Sequence, residues 1–112
     1  MEPSREVAGP RARHVRTSLL VIYSPLAEDC RRFYEGLGLE FALERHGAGP
    51  AHYAAVLSDG AVFEIYPATA ERRTGALRLG FAVDATATTP RLDTGRHLLR
   101  DPDGRTVEVH VD

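Results

Sequence analysis

The first half of the chain places apolar residues at strand spacing, then at helix spacing. Residues 17–24 form a near-continuous apolar run rich in β-branched and aromatic types, which predicts a strand. Ser24 then suits a helix N-cap, with Pro25 as the first helical residue. Apolar residues recur after it at helical spacing, which predicts a short amphipathic helix. These residues are Leu26, Cys30, Phe33 and Leu37.

Three more strands are predicted in this half, at residues 40–45, 52–57 and 61–66. Ser58, Asp59 and Gly60 have the composition of a hairpin turn between the last two strands. Pro67 is expected to stop the last strand, because it has no N–H to donate to a ladder. Residues 68–75 follow as a charged linker.

The second half repeats the strands without the helix. Residues 77–83 alternate apolar and polar or small positions, which predicts a strand with one core face. Residues 85–95 contain four Thr and a Pro and show no helical periodicity. Residues 97–100 and 105–111 are predicted to form a hairpin, with Glu108 and His110 on the face opposite the valines of its second strand.

Composition indicates one domain of an ordinary globular protein. The chain has 112 residues and a net charge of -2, which gives no field that would favour nucleic acid. No apolar run approaches the roughly 18 residues of a membrane span. The lone cysteine, Cys30, excludes an internal disulfide and fits a reducing compartment, so a cytoplasmic location is expected. Residues 1–15 lack periodicity and are predicted to be a disordered tail, with a single domain at residues 16–112.

Four segments together resemble the vicinal oxygen chelate superfamily, which includes glyoxalase I, bleomycin-resistance proteins and extradiol dioxygenases. They are residues 32–41 (RFYEGLGLEF), 62–67 (VFEIYP), 79–84 (LGFAVD) and 100–109 (RDPDGRTVEV). The resemblance spans residues from about 18 to 111. It implies an α+β fold of paired βαβββ modules, the first at about residues 17–67. The second, at about residues 76–112, is reduced and lacks its helix.

The resemblance also implies where a metal would lie. Metal-using members place a residue that is usually His on the first strand of each module and a Glu on the last strand. The glutamates correspond to Glu64 and Glu108, whereas the other two positions fall on Leu19 and Arg78, neither of which is a metal ligand. A guanidinium keeps its proton and puts positive charge where the cation would sit. We therefore expect no cofactor, and a charge-paired cluster of Glu64, Arg78 and Glu108.

Side-chain parity on the strands predicts a mostly apolar small-molecule pocket around these residues. Its predicted lining residues are Leu19, Val21, Tyr23, His52, Val62, Glu64, Tyr66, Arg78, Glu108 and His110. The two glutamates could equally be half-buried salt-bridge partners. A divalent metal held by Glu64, Glu108 and His110 is the alternative cofactor. His46 lies in a Gly-rich loop, where no role in the site is expected for it.

Three functions remain open on this reading. The first is a non-catalytic protein that binds or sequesters an antibiotic-like small molecule, and the absent histidine pair favours it. The second is an enzyme, either a metal-dependent lyase, isomerase or dioxygenase, or a metal-free one with Glu64 or Glu108 as base. The third is an oligomerisation module. A homodimer is expected because the second module lacks a helix, which would leave bare the face that carries Leu77, Leu79, Phe81, Val83, Val107 and Val109.

Overall fold

The computed structural model describes residues 14–112, and within them the chain forms one α-helix and two small β-sheets. The elements are β1 (Leu19–Ser24), α1 (Ala27–Glu35), β2 (Ala42–Glu44), β3 (His52–Val56), β4 (Val62–Pro67), β5 (Arg78–Val83), β6 (Gly95–Arg100) and β7 (Thr106–Val111). The α+β fold class and the missing second helix are confirmed, since a single 3-10 turn, Ala85–Ala87, lies between β5 and β6. Apart from His14 and Val15, the predicted tail lies outside the described residues.

The two sheets repeat one arrangement. The first sheet has the order β1-β4-β3-β2, and the second has the order β5-β7-β6. In each sheet the first strand runs parallel to the strand that carries the glutamate, with Val21 opposite Glu64 and Gly80 opposite Glu108. The remaining pairs are antiparallel. The duplication predicted from the strand pattern is therefore present in the topology.

The helix begins two residues later than the sequence pattern predicts. Ser24 is the last residue of β1 and is paired with Pro67, so the chain needs Pro25 and Leu26 to turn before α1 starts at Ala27. The Ser24 hydroxyl accepts a hydrogen bond from the Leu26 N–H at 3.0 Å, which closes this turn. The predicted N-cap role of Ser24 is wrong, because no side chain caps α1.

The helix packs on the first sheet and reaches the second sheet through Tyr34. The ring of Tyr34 lies 5.0 Å from Phe63 of β4 and 5.8 Å from Phe81 of β5, measured between ring centroids. The segment after β5 packs on the end of the helix, where the Thr89 N–H donates to the Gly36 carbonyl at 2.8 Å. A Cβ at Gly36 would lie 2.9 Å from the Thr89 carbonyl oxygen, so the close approach requires glycine.

The face of the second sheet is consequently not bare. Leu79, Val107 and Val109 are buried within the chain and belong to the same core cluster as Tyr34. The expectation that this face is bare is therefore wrong for these three residues, while Leu77, Phe81 and Val83 are partly buried against the same core. The homodimer itself stays a prediction. Among the described residues, no helix is long and apolar enough to cross a lipid bilayer.

A buried ion pair in the β6–β7 turn anchors the helix. The side chains of Arg105 and Asp101 are 2% and 0% exposed, and Nη1 lies 3.1 Å from Oδ2. The Tyr34 hydroxyl donates to the same Asp101 oxygen at 2.7 Å. Burial, followed by this hydrogen bond, raises the pKa of Tyr34, so the hydroxyl keeps its proton and remains a donor.

The same arginine also joins the two halves of the chain. Its Nη2 donates to the carbonyl oxygens of Tyr23, at the end of β1, and Thr74, in the linker, at 3.2 and 3.1 Å. It also contacts Asp103 at 2.8 Å. The Asp101-Pro-Asp-Gly-Arg105 segment, which sequence reasoning treated as a turn, is thus a structural junction.

We expect Arg105→Met to lower the free energy of unfolding by about 3–5 kcal/mol, because it leaves the Asp101 carboxylate buried without its partner. Urea denaturation at neutral pH measures the change. Arg73→Met is the matched control, since Arg73 also pairs with Asp103 but from an exposed position. Its loss is expected to stay within about 1 kcal/mol. Equal losses in the two variants would contradict the anchoring role of Arg105.

Candidate functional site

Strand alternation places the predicted site residues on the sheet faces that point away from α1. We call these surfaces the Glu64 face, on the first sheet, and the Glu108 face, on the second. The Glu64 face carries Leu19, Val21, Tyr23, His52, Val62, Glu64 and Tyr66. The Glu108 face carries Arg78, Glu108 and His110. That these residues contact a ligand remains a prediction.

Glu108 lies among basic side chains of its own sheet. Arg96 Nε donates to Oε1 at 2.5 Å, Arg78 Nη2 lies 3.7 Å from the same oxygen, and His110 Nε2 lies 3.9 Å from Oε2. The hydrogen bond from Arg96 is the main cause that holds the pKa of Glu108 below its usual range. Sequence reasoning missed Arg96, because it started β6 at His97. In the observed β6, Leu98 is paired with Glu108. Arg96 lies two residues before Leu98 and therefore on the same face of the sheet as Glu108.

Glu64 is paired differently. Its Oε2 lies 3.3 Å from Nε2 of His52, a neighbour on β3. Among residues 14–112, no ion pair links Glu64 to Arg78. Arg78 lies near Glu108 instead. The expected single cluster of Glu64, Arg78 and Glu108 is therefore wrong for Glu64, which does not join the other two residues. The cause is topological, since each glutamate stands on the central strand of a different sheet and meets the side chains beside it.

The alternative metal set is not brought together either. Within the described part of the chain, the one group of at least three potential metal ligands in mutual reach is Glu44, His46, His52 and Glu64, which excludes Glu108 and His110. Sequence reasoning missed Glu44 and gave His46 no role. Glu44 is opposite His52 in the β2–β3 ladder, a proximity that only the strand register reveals.

Aromatic side chains form a row across the Glu64 face. The Tyr23 and Tyr66 ring centroids are 5.4 Å apart. His52 stacks on Tyr66 at 4.1 Å with an interplanar angle of 8°, and His46 follows at 5.1 Å from His52. We call these four residues the aromatic row. Its two tyrosines are half-buried, so part of each residue remains accessible.

The Glu64 and Glu108 side chains are only 14% and 11% exposed. Leu19 and Val56 on the Glu64 face and Leu98 on the Glu108 face are exposed, so both faces carry accessible apolar surface. A depression of about 370 Å³ lies instead at the start of β5, and a second of about 250 Å³ adjoins it along the linker. Of the predicted lining residues, only Arg78 borders either depression. That the other predicted residues line a small-molecule pocket stays a prediction.

Solved structures share this fold at low sequence identity. A lactoylglutathione lyase from Agrobacterium tumefaciens is 18% identical, with 90% of this chain and 96% of that chain covered and a TM-score of 0.57. TnmS3, an antibiotic binding protein from Streptomyces sp. CB03234, is 15% identical, with 90% and 98% covered and a TM-score of 0.62. Oxidase ChaP-H2 is 12% identical, with 87% and 93% covered and a TM-score of 0.56. No protein-family model and no curated protein matches the sequence.

We expect Arg96→Gln to raise the pKa of Glu108 toward its ordinary value, because Arg96 supplies the main hydrogen bond to the carboxylate. Carboxyl carbon NMR during a pH titration measures this pKa. Arg78→Leu is the comparison, and its effect should be smaller, since Arg78 is more distant and more exposed. A larger effect from Arg78→Leu, or none from Arg96→Gln, would show that the pairing differs from the one described.

Proposed function

Because the chain has the fold of the vicinal oxygen chelate superfamily, we propose that it is a non-catalytic binding protein for a small, flat aromatic molecule. The observation that carries this proposal is the aromatic row on the open Glu64 face. The fold itself hosts both enzymes and binding proteins, so the side chains must decide between them. The likeness to an antibiotic binding protein supports binding of an antibiotic-like ligand.

The Glu64 face has the chemistry of an aromatic binding surface. Tyr23 and Tyr66 are half-buried aromatic residues on this face, and offset ring pairs contribute about 0.5–1.5 kcal/mol beyond simple burial. Leu19 and Val56 add exposed apolar contact on either side. The Glu64 carboxylate, close to Tyr66, would accept a hydrogen bond or pair with a cationic group of the ligand. A mostly apolar surface with one oriented polar group is typical of small-molecule sites.

We further propose that the four positions where the superfamily places its metal ligands do not hold a metal jointly. Leu19 offers only hydrocarbon, and Arg78 brings a permanent positive charge. Glu108 already accepts from Arg96, and Glu64 stands on the other sheet beside His52. Two separated carboxylates without imidazole at these positions give a weak ligand set for a transition metal.

The same contacts disfavour catalysis with Glu108 as the base. The arginine that lowers the pKa of Glu108 makes this carboxylate a weaker proton acceptor near neutral pH. We therefore favour binding over the enzyme interpretation. The buried free thiol of Cys30 is compatible with a reducing compartment, so we propose that binding takes place in the cytoplasm.

We also propose that the protein is a homodimer, on different grounds from those in the sequence. The bare inner face does not exist, but Leu19, Val56 and Leu98 leave apolar surface exposed on the outer faces. Burying such surface contributes about 25 cal/mol per Å². A second chain laid across these faces would also close the open site over a bound ligand.

We expect daunorubicin, a fused-ring aromatic antibiotic, to bind the wild-type chain, and Tyr66→Leu to weaken binding by about 2- to 10-fold through loss of ring stacking. Quenching of the probe's own fluorescence measures the affinity, and the chain has no tryptophan to interfere. Tyr53→Leu is the control, because Tyr53 is opposite Ile65 and lies on the helix side of the sheet.

Bleomycin serves as a second, non-planar probe in the same titration. Failure of daunorubicin to bind, or equal weakening by both tyrosine variants, would contradict the aromatic site. Chemical conversion of a bound probe, detected by mass spectrometry, would favour an enzyme instead.

For the dimer, light scattering at micromolar concentration should give about twice the chain mass of 12.3 kDa. Leu98→Glu should shift the protein toward the monomer, because it places a charge in the apolar contact. Leu43→Glu is the control, since Leu43 is at least as exposed but lies on the other side of its sheet. A wild-type monomer, or equal dissociation by both variants, would contradict the proposed interface.

A further inference from the structure

We propose that Glu44, His46, His52 and Glu64 form a binding site for a divalent transition-metal ion, with Zn²⁺ as the best-fitting ion. We call this group the histidine–glutamate cluster. It lies at the β2–β3 end of the Glu64 face, within the first module. It shares only Glu64 with the four positions that the superfamily uses and contains no residue of the second sheet.

The spacing of the potential ligand atoms fits a tetrahedral ion. His52 Nε2 lies 3.3 Å from Glu64 Oε2 and 3.4 Å from Glu44 Oε1, and His46 Nε2 lies 3.4 Å from the same Glu44 oxygen. One ligand atom from each of the four residues lies within 4.8 Å of all the others. A tetrahedral Zn²⁺ with bonds of about 2.0–2.1 Å separates its ligand atoms by about 3.3 Å. Small side-chain movements would therefore complete the coordination.

His52 gives independent evidence that something besides protein belongs there. Its side chain is 1% exposed, and within residues 14–112 its Nε2 has no hydrogen-bond partner, although two carboxylates lie near it. A buried polar nitrogen without a partner is costly and rare. A metal ion between the imidazole and the carboxylates would satisfy all of them together.

The other ring nitrogen of His52 prepares it for this role. Nδ1 lies 3.2 Å from the Pro50 carbonyl oxygen, which can only accept, so Nδ1 acts as the donor there and Nε2 is the ring nitrogen that faces the cluster. A backbone carbonyl on the second nitrogen is a common way to orient a metal-binding histidine. Stacking on Tyr66 at 4.1 Å fixes the ring plane as well.

The fold brings the four residues together from three strands and a loop. Glu44 on β2 is opposite His52 on β3, and β3 pairs with β4, which carries Glu64. The loop after β2 turns back through Gly47, whose φ of 58° is left-handed, and the Gly49 N–H donates to the His46 carbonyl at 3.0 Å. An ion in the cluster would therefore fasten the β2–β3 edge and its loop to the central strand.

Charge and ligand type select the ion. Two carboxylates and two neutral imidazoles balance a divalent cation, and mixed nitrogen and oxygen ligands suit Zn²⁺ better than Mg²⁺ or Ca²⁺, which prefer oxygen alone. A protonated His52 is the competing explanation, since it would also neutralise part of the charge. Metal titration separates the two.

The test uses the full, untagged chain after treatment with a chelator. We expect one equivalent of Zn²⁺ to bind with a Kd below about 1 μM in calorimetry, and Co²⁺ to give the intense visible absorption of a tetrahedral site. Bound Zn²⁺ should also raise the melting temperature. Glu44→Gln and His46→Gln should each weaken Zn²⁺ binding by more than about 100-fold, since losing a direct ligand costs more than losing an outer partner.

The His46 and Glu44 side chains are 70% and 41% exposed, so we expect both variants to fold like the wild type. An unchanged circular dichroism spectrum checks this. His110→Gln is the control and should bind Zn²⁺ like the wild type. Absence of submicromolar Zn²⁺ binding, or binding unaffected by Glu44→Gln and His46→Gln, would overturn the proposal. Loss of binding in His110→Gln would also overturn it and place the ion near Glu108. Because the daunorubicin titration is performed on chelator-treated protein, failure of either proposal does not decide the other.

Discussion

The buried pair of Arg105 and Asp101 is the contact on which the relation between the two sheets depends. One guanidinium pairs with Asp101, which holds the hydroxyl of Tyr34 in the helix, and reaches the carbonyl of Tyr23 at the end of β1 and that of Thr74 in the linker. A planar group with five donors can satisfy such divergent acceptors, whereas a lysine ammonium could not reach them in one geometry. The pair thus fixes β1, α1 and the β6–β7 turn relative to one another.

This anchoring lets one helix serve two sheets. Tyr34 packs against Phe63 on one side and Phe81 on the other, so the core is continuous across the duplication. The missing second helix therefore leaves no exposed inner face. Gly36 contributes by admitting the backbone of Thr89 to the helix end, where a larger residue would hold the segment away. The two glutamates are left on outer faces that are free to take on different surroundings.

Glu64 and Glu108 lie at equivalent strand positions of the two sheets but have different neighbours. Glu108 accepts from Arg96, and its carboxylate is stabilised as an anion. Glu64 instead adjoins His52, whose ring stacks on Tyr66. Both keep the strand positions that the superfamily resemblance assigns to metal ligands, but each meets the side chains of its own sheet. Structures with this fold include a lyase, an antibiotic binding protein and an oxidase, which agrees with function residing in local side chains.

The sequence by itself determined the strands, the single helix and the faces on which Glu64 and Glu108 lie, because these follow from periods of 2 and 3.6 along a local segment. Of the apolar residues at helical spacing, Cys30 and Leu37 are buried, whereas Leu26, which precedes the first residue of α1, is exposed. The tertiary structure alone decided which charges meet. Arg96 reaches Glu108, and Glu44 and His46 reach His52, through strand register and a loop reversal that periodicity does not encode. The tertiary structure also decided that α1 contacts the second sheet. This placement depends on the contacts of Tyr34 with Asp101 and Phe81, which are distant in the sequence.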